Sequence, residues 1–397
     1  MRVRLGRTWG AAPWLLATAV LLAGCARFDD RASGQSFTPA PELTAPAGPQ
    51  PRLPEIDGTS RTNPRPGGTP TSIPPPQGCT DYDKAVVATC LDTVSAIAAL
   101  PGGGSDPGAL AAERRSGRIM QVSANTKPVQ LASLKVDATG DGGLTGLALS
   151  PTFGEDQLVF AYITTATDNR VVRLTRGQQP KPVLTGIPKG ATGNRGALAV
   201  DGKGALLVAT GDAGNPAAAA DPRSLAGKVL RIDTAGNAAQ GNPAPGNRVI
   251  AGGLHSPGGI CKSGDLTRLW VTDHGTIDAL YRVNPGAALS APAWTWPDRP
   301  GVAGCADGGQ SVLVATAGSA VQQLPLTAEG AVGGTPKPLL DGKNGTGYGR
   351  YGGLDPIDGQ FAFIGTVNKD GGQPVSSDDR VVVIQLQPNP NGGSGKD

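Results

Sequence analysis

The residues best suited to chemistry in this 397-residue chain are one aspartate and two histidines. Asp212 follows the apolar, β-prone run 206–211 and is predicted to stand where a strand ends at the mouth of a sheet. His255 and His274 are the only histidines, and a neutral imidazole readily takes a proton near neutral pH. All three are candidate catalytic residues. Each also has a plain structural alternative, as a turn aspartate or as a histidine satisfied within the fold.

The five cysteines divide into Cys25, near the N terminus, and four in the body of the chain. An even number of cysteines in an exported protein predicts two disulfides. Nearest-neighbour pairing gives Cys79–Cys90 and Cys261–Cys305, although four cysteines allow three connectivities. No pair has CxxC spacing and the chain has only two histidines, which argues against a Cys/His metal site.

The first 24 residues have the form of a lipoprotein signal peptide. Arg2, Arg4 and Arg7 make a basic start, and the apolar stretch 14–23 is too short for a lasting membrane helix. Small residues lead into Cys25, which is the pattern for cleavage and acylation. We expect an exported protein anchored through a lipid on Cys25 at the outer face of the cytoplasmic membrane. The alternative is an ordinary secretory signal with a chance cysteine.

Charge and composition exclude one class of partner and delimit the folded part. The chain has 35 Lys and Arg against 32 Asp and Glu, and removal of residues 1–24, with three arginines and no acid, leaves 32 of each. This neutral balance argues against nucleic acid as a partner. Residues 25–78, rich in Pro, Gly and Thr, predict a disordered tether, and residues 387–397 a flexible tail. Residues 79–386 remain for one large domain.

A recurring phrase predicts an all-β fold, a six-bladed β-propeller over residues 79–386. Each copy begins with a small residue and an apolar strand, followed by a turn and a Val/Leu-rich strand. The copies start at Gly108, Gly146, Gly196, Gly259, Gly304 and Gly353, which by subtraction lie 38 to 63 residues apart. Several strands in each unit of roughly 40–50 residues are typical of propellers. The alternatives are a β-sandwich or two smaller β domains. Residues 84–100 are predicted to form a short helix before the first blade.

Four phrases resemble the glucose/sorbosone dehydrogenase family, whose best-known members are soluble quinoprotein sugar dehydrogenases. The phrases are residues 142–151, 209–214, 224–232 and 269–275. With its lipoprotein pattern and Pro-rich tether, the chain is also similar to the LppZ-type lipoproteins of actinobacterial envelopes. The resemblance implies a six-bladed propeller that binds pyrroloquinoline quinone (PQQ) and calcium over its axis and oxidises sugar hydroxyls.

The same resemblance implies groups that this chain lacks. The family's base is a histidine that begins a His-x-x-Gly strand start, and the matching residue is Gly193, which has no side chain. The family's Arg-Asn-Pro-Gln-Gly run matches residues 255–259, and its Asp-Glu-Leu-Asn run matches residues 278–281. Both runs have lost polar groups, and the family's late basic residues have no convincing match. Loss of a general base removes on the order of 10²–10⁴ in rate.

The leading hypothesis is a ligand-binding or interaction module of the cell envelope that has lost quinone-dependent catalysis. The alternative is an active oxidoreductase on a sugar or other alcohol, in which His255 or His274 supplies the base in a rearranged quinone site. A third class is a scaffold whose propeller face holds an envelope glycan or protein. Trp294 and Trp296 are expected either to stack on a sugar face or to pack a blade.

Overall fold

The structure of the protein is a computed structural model that describes residues 73–102, 107–343 and 346–387. The predicted signal peptide, Cys25, nearly all of the predicted tether and the predicted tail from residue 388 lie outside these residues. In the described part of the chain, 24 strands form six antiparallel sheets of four strands each. These six sheets confirm the predicted six-bladed β-propeller. No helix in the described part is long and apolar enough to cross a membrane.

The first strand, β1 (Val86–Ala88), belongs to the last blade, and the first three blades follow it in chain order. Blade 1 consists, from the axis outward, of β2 (Val94–Ala99), β3 (Gly108–Glu113), β4 (Arg118–Ser123) and β5 (Val129–Ser133). Blade 2 consists of β6 (Leu144–Leu149), β7 (Val159–Thr164), β8 (Asn169–Leu174) and β9 (Lys181–Ile187), with the helix α1 (Phe153–Asp156) after β6. Blade 3 consists of β10 (Gly196–Val200), β11 (Leu206–Thr210), β12 (Lys228–Ile232) and β13 (Val249–Gly252), with the helix α2 (Pro216–Ala220) after β11.

The last three blades repeat this plan. Blade 4 consists of β14 (Pro257–Lys262), β15 (Leu269–His274), β16 (Asp278–Arg282) and β17 (Trp294–Trp296). Blade 5 consists of β18 (Val302–Asp307), β19 (Ser311–Thr316), β20 (Ala320–Pro325) and β21 (Lys337–Leu339). Blade 6 consists of β22 (Tyr351–Pro356), β23 (Phe361–Thr366) and β24 (Val381–Gln385), and β1 is its outermost strand.

Blade 6 closes the ring with strands from both ends of the domain. Val86 of β1 pairs with Val382 of β24, so a strand that comes first in the sequence completes the sheet that comes last. The predicted helix over residues 84–100 is therefore wrong, because this segment contains β1 and β2. Its alanines favour a helix locally, but β1 pairs with the distant β24 and β2 with the following β3, which satisfies the backbone instead.

Five of the six predicted repeat starts fall in innermost strands, and the first does not. Gly108 begins β3, the second strand of blade 1, whereas β2 is the innermost one. The six innermost strands surround the axis and begin at the same end of the domain. This end gathers residues from all six blades.

Apolar side chains pack between neighbouring blades and fill the interior. Trp270, Trp296 and Val312 belong to one such cluster, between blades 4 and 5. Cys261 of β14 is bonded to Cys305 of β18 in the same layer, and Cys79 is bonded to Cys90 before the first blade. Both predicted disulfides are thereby confirmed, and the second joins innermost strands of adjacent blades.

Candidate functional site

A cavity of about 730 Å³ opens over the axis, where the innermost strands begin. We call it the axial funnel. Each blade contributes to its lining, through Ser95, Thr145, Arg195, Gly258, Ala303 and Gly352 in blade order. A concave site built from several elements of a rigid scaffold is the usual form of a ligand-binding pocket.

Glycines below the funnel let the blades converge. A Cβ on Gly196 would lie 2.3 Å from Cζ of Tyr162, and a Cβ on Gly304 would lie 2.5 Å from the backbone nitrogen of Leu354. Real side chains do not tolerate such contacts, so these positions accept only glycine unless the neighbouring blade moves. The glycine repeat seen in the sequence is therefore a consequence of the axis itself.

Asp141 ties three blades together at the floor of the funnel. One carboxylate oxygen accepts hydrogen bonds from the backbone nitrogen of Gly193 (2.9 Å) and from Oγ of Ser256 (2.9 Å), and the other accepts from the backbone nitrogen of Asn194 (3.1 Å). Sequence reasoning missed this residue. Its position just before the Gly142-Gly143 phrase that leads into an innermost strand was the available signal.

Gly193, where the resemblance implies a histidine base, has no room for a side chain. Its φ of +67° is in the left-handed region that favours glycine. A Cβ there would lie 2.4 Å from Oδ1 of Asp212 and 2.8 Å from the backbone nitrogen of Gly214. The space that a base would need in this backbone conformation is therefore already filled.

A Gly193→Ala variant is expected to lose about 2–5 kcal/mol of stability, because left-handed strain of about 1–2 kcal/mol adds to overpacking of about 1–3 kcal/mol. Gly177→Ala is the matched control, since Gly177 has a φ of +73° and nothing within 4 Å of its Cβ position. Urea denaturation of both variants measures the difference. Equal losses would show that Asp212 does not restrict this position.

Asp212 stands just beyond the end of β11, as predicted, but it does not line the axial funnel. Its side chain is buried, and Oδ1 accepts a hydrogen bond of 2.7 Å from the backbone nitrogen of Gly214. Burial raises the pKa of the Asp212 carboxyl, and the Gly214 hydrogen bond and the nearby His255 offset this only in part. These contacts are those of a turn aspartate.

His255 also lies outside the funnel lining. Its Nδ1 is 3.0 Å from Oδ2 of Asp273, and Asp273 also accepts hydrogen bonds from the backbone nitrogens of His255 and Ser256. The hydrogen bond to Asp273 raises the pKa of His255 above its ordinary value, and partial burial opposes this. The histidine and aspartate together fasten the start of blade 4.

His274, the last residue of β15, is the candidate that the structure places in the funnel wall. Its Nδ1 is 2.5 Å from Oδ1 of Asp278, and Asp278 also accepts hydrogen bonds from the backbone nitrogens of Gly301 and Val302. Burial opposes ionisation of Asp278, but these hydrogen bonds lower its pKa overall. With Nδ1 held by a carboxylate, Nε2 of the neutral ring is left to accept a proton.

The two tryptophans pack a blade. Trp294 and Trp296 belong to β17, the outermost strand of blade 4, and neither lines the funnel. Trp296 is buried in the cluster between blades 4 and 5, and Trp294 packs against that cluster. The packing alternative from the sequence agrees with this position.

Four arginines that sequence reasoning missed line the funnel: Arg114, Arg195, Arg299 and Arg350. Arg195 and Arg350 directly precede innermost strands, a position that could have identified them once the blades were assigned. Arg299 and Arg350 lie in the C-terminal part of the chain, where the sequence motifs gave no convincing match to the family's basic residues. Within the described residues, no group of three or more His, Cys, Asp or Glu is arranged to hold a metal ion.

Comparison with known proteins agrees with this architecture. A family model described as glucose/sorbosone dehydrogenase matches residues 91–298. The structure of the PQQ-bound form of aldose sugar dehydrogenase from Streptomyces coelicolor is 32% identical, with a TM-score of 0.69 over 76% of this chain and 96% of that chain. An oxidoreductase (glucose dehydrogenase) structure from Thermus thermophilus is 30% identical, with a TM-score of 0.67 over 75% of this chain and 98% of that chain.

A curated relative matches a shorter part of the chain. Aldose sugar dehydrogenase YliI of Escherichia coli (strain K12) is 28% identical over 179 residues, which is 40% of this chain and 48% of that protein. The match thus spans about half of that relative. The family model covers more than half of this chain, and two solved structures are similar over nearly their whole length. This chain belongs to the glucose/sorbosone dehydrogenase family.

Proposed function

We propose that this chain is a lipid-anchored propeller of the cell envelope that has lost quinone-dependent sugar oxidation and retains the axial funnel as a binding or interaction site. The observation that carries the proposal is Gly193. At the position that matches the family's base, the backbone is left-handed and the side-chain space is occupied by Asp212. An oxidation that needs a base at this point has none here.

The residues around the funnel do not fit the oxidising site that PQQ and calcium would require. Asp212 holds the backbone of Gly214 rather than orienting a histidine. His255 and Asp278 begin the two runs that match the family's quinone-contacting segment and a neighbouring one. Here they make hydrogen bonds within the fold, His255 with Asp273 and Asp278 with the backbone of Val302. The arginines suit carboxylates, but a cation that binds an acid does not replace a proton acceptor. We therefore assign no reaction step to the quinone.

The proposed location rests on the sequence. The basic start, the short apolar stretch and the small residues before Cys25 support export and lipidation, and residues 25–78 would hold the propeller away from the membrane. The lipid makes the membrane one partner of this protein. An envelope sugar, glycan or protein is the second partner, and the funnel is where it would bind.

A second candidate function is oxidation of a sugar or other alcohol in a rearranged site. It is favoured by His274, because this histidine faces the funnel and its Nδ1 is held by the buried carboxylate of Asp278. That arrangement leaves Nε2 of His274 available to act as a general base. His255 does not share the advantage, since it lies outside the funnel lining.

The test is dye-coupled oxidation of a panel of aldoses by the full chain, purified in mild detergent and supplied with PQQ and calcium. The E. coli aldose sugar dehydrogenase is the positive control. We expect a rate at least roughly 100-fold below that control, because general-base catalysis contributes about 10²–10⁴. A comparable rate that disappears in Asp212→Ala would contradict the proposal. Oxidation lost in His274→Gln but kept in His255→Gln would instead support the second candidate.

A further inference from the structure

Arg195 lies deep in the funnel with few partners. Within the described part of the chain, its guanidinium makes one hydrogen bond, from Nη2 to the backbone oxygen of Val302 at 3.3 Å, and no ion pair. A Cβ on Gly258 would lie 2.6 Å from the same Nη2, so the glycine leaves space for this group. The side chain of Arg195, from blade 3, thus passes blade 4 and reaches blade 5 across the floor.

Two more arginines of the funnel lining each have one buried, unpaired donor. The Nε atoms of Arg114 and Arg350 are buried and have no hydrogen-bond partner among the described residues. Arg114 is otherwise well held, by an ion pair of 2.8 Å with Asp370 and a hydrogen bond of 2.8 Å to the backbone oxygen of Gly142. The guanidinium of Arg350 has neither kind of contact with the described residues. Blades 1, 3 and 6 therefore place incompletely satisfied cations around one cavity.

Unmet hydrogen-bond donors on these buried arginines are unfavourable. Burial lowers the pKa of Arg195, and the nearby carboxylates of Asp141 and Asp278 oppose this, but a guanidinium stays charged in proteins. A desolvated charge needs both an opposite charge and saturated hydrogen bonds. Among the described residues Arg195 has one hydrogen bond and no ion pair, so most of its donors are left for a ligand.

We propose that the axial funnel binds a sugar acid, that is, a polyhydroxylated ligand with a carboxylate held by Arg195 and Arg350. Planar guanidinium groups match carboxylate geometry and can bind it in a bidentate manner. At about 730 Å³ the funnel is far larger than an inorganic anion requires. Asp298, Asp370 and His274 also line it and offer acceptors for sugar hydroxyls. This inference rests on the proposed function, in which the funnel binds its ligand without oxidising it.

The experiment is calorimetric titration of the full chain, in mild detergent, with D-glucuronate and with D-glucose. The two sugars differ by a carboxylate in place of a hydroxymethyl group. We expect glucuronate to bind at least roughly 10-fold more tightly, since a hydrogen bond between two charged groups is stronger than one between neutral groups. The preference should shrink at high salt. Equal affinity for the two sugars, or no binding of glucuronate, would overturn the inference.

Variants locate the acid. Arg195→Met and Arg350→Met should each weaken glucuronate binding by roughly 10-fold, and Arg195→Lys, which keeps the charge but not the fork, should weaken it less. Arg176→Met is the matched control, because Arg176 is exposed on blade 2 and bonds Gln121 away from the funnel. Thermal melting checks that each variant folds. Unchanged affinity in both funnel variants would overturn the assignment.

Two further measurements distinguish failure of this inference from failure of the proposed function. PQQ is also a carboxylate, so it is titrated in competition, and PQQ that glucuronate cannot displace would assign the arginines to the quinone and overturn the inference. Sugar oxidation in the same preparations would contradict the proposed loss of catalysis. A preference for glucuronate over glucose could still stand in that case, so the two failures are distinguishable.

Discussion

Replacing Trp270 with alanine is expected to lower the free energy of unfolding by about 3–5 kcal/mol, the usual effect of truncating a large buried aromatic residue. Trp270 is fully buried on β15, in the cluster between blades 4 and 5. Its Nε1 donates a hydrogen bond of 2.7 Å to Oδ2 of Asp307 on β18. The substitution removes the contacts of the indole ring between blades 4 and 5, and one of the hydrogen bonds to the buried carboxylate of Asp307.

Trp270→Phe separates these contributions. It keeps most of the aromatic volume but cannot donate to Asp307, which would still be paired with Arg268 at 2.8 Å. A loss of about 1–3 kcal/mol is expected, because a buried acceptor then lacks one donor. Equilibrium denaturation by guanidinium, with both disulfides intact, measures the two variants. A loss below about 1 kcal/mol in Trp270→Ala would mean that the blades repack without this residue.

The second large effect is a dependence of stability on pH caused by Asp355. This residue lies on β22 and lines the narrow channel below the funnel, among apolar side chains such as Leu147, Leu198 and Ile260. Oδ2 accepts a hydrogen bond of 2.8 Å from the backbone nitrogen of Ala99. Burial raises its pKa to about 7, and that hydrogen bond and the charge of Lys262 only partly oppose this.

Because the folded state holds the proton more tightly than the unfolded state, Asp355 costs no stability below about pH 4, and the cost grows until about pH 7. A rise of about 3 pKa units corresponds to roughly 4 kcal/mol at full effect. Asp355→Asn should therefore be more stable than the native chain at pH 8 and similar to it near pH 4.

The measurement is urea denaturation of the native chain and of Asp355→Asn at several pH values between 4 and 8. The difference between the two proteins removes the contribution of other titrating groups. Asp358→Asn, at an exposed position in the same blade, makes the same change of charge and is the control. A difference between Asp355→Asn and the native chain that does not vary with pH would show that this carboxyl is ionised and well solvated.

The repeat of small residues and apolar runs was enough to predict six blades. Glycine recurs at positions such as Gly196 and Gly304 because no Cβ fits where blades meet at the axis. This packing requirement therefore produces a local sequence pattern. Nearest-neighbour order predicted the pairing of the cysteines, and the structure confirms it, since Cys261 and Cys305 hold equivalent places in successive blades. The segment 84–100 behaved differently. Its first strand pairs with β24 at the far end of the domain, which no local pattern could predict, whereas its second strand pairs with β3, the next strand in the sequence.

The candidate site likewise has features that local sequence predicted and features that only the fold explains. From residue types alone, Asp212, His255 and His274 were equal candidates, and the structure places only His274 among them in the funnel wall. The arginines of the funnel are dispersed over 237 positions, from Arg114 to Arg350, and have no motif in common. By itself the sequence predicted the blades and the disulfides and placed Gly193 where the resemblance implies a base, because each depends on residue identity or on a local repeat. Only the tertiary structure decided which charges meet over the axis, because closing the ring brings blades 1, 3 and 6 around one cavity.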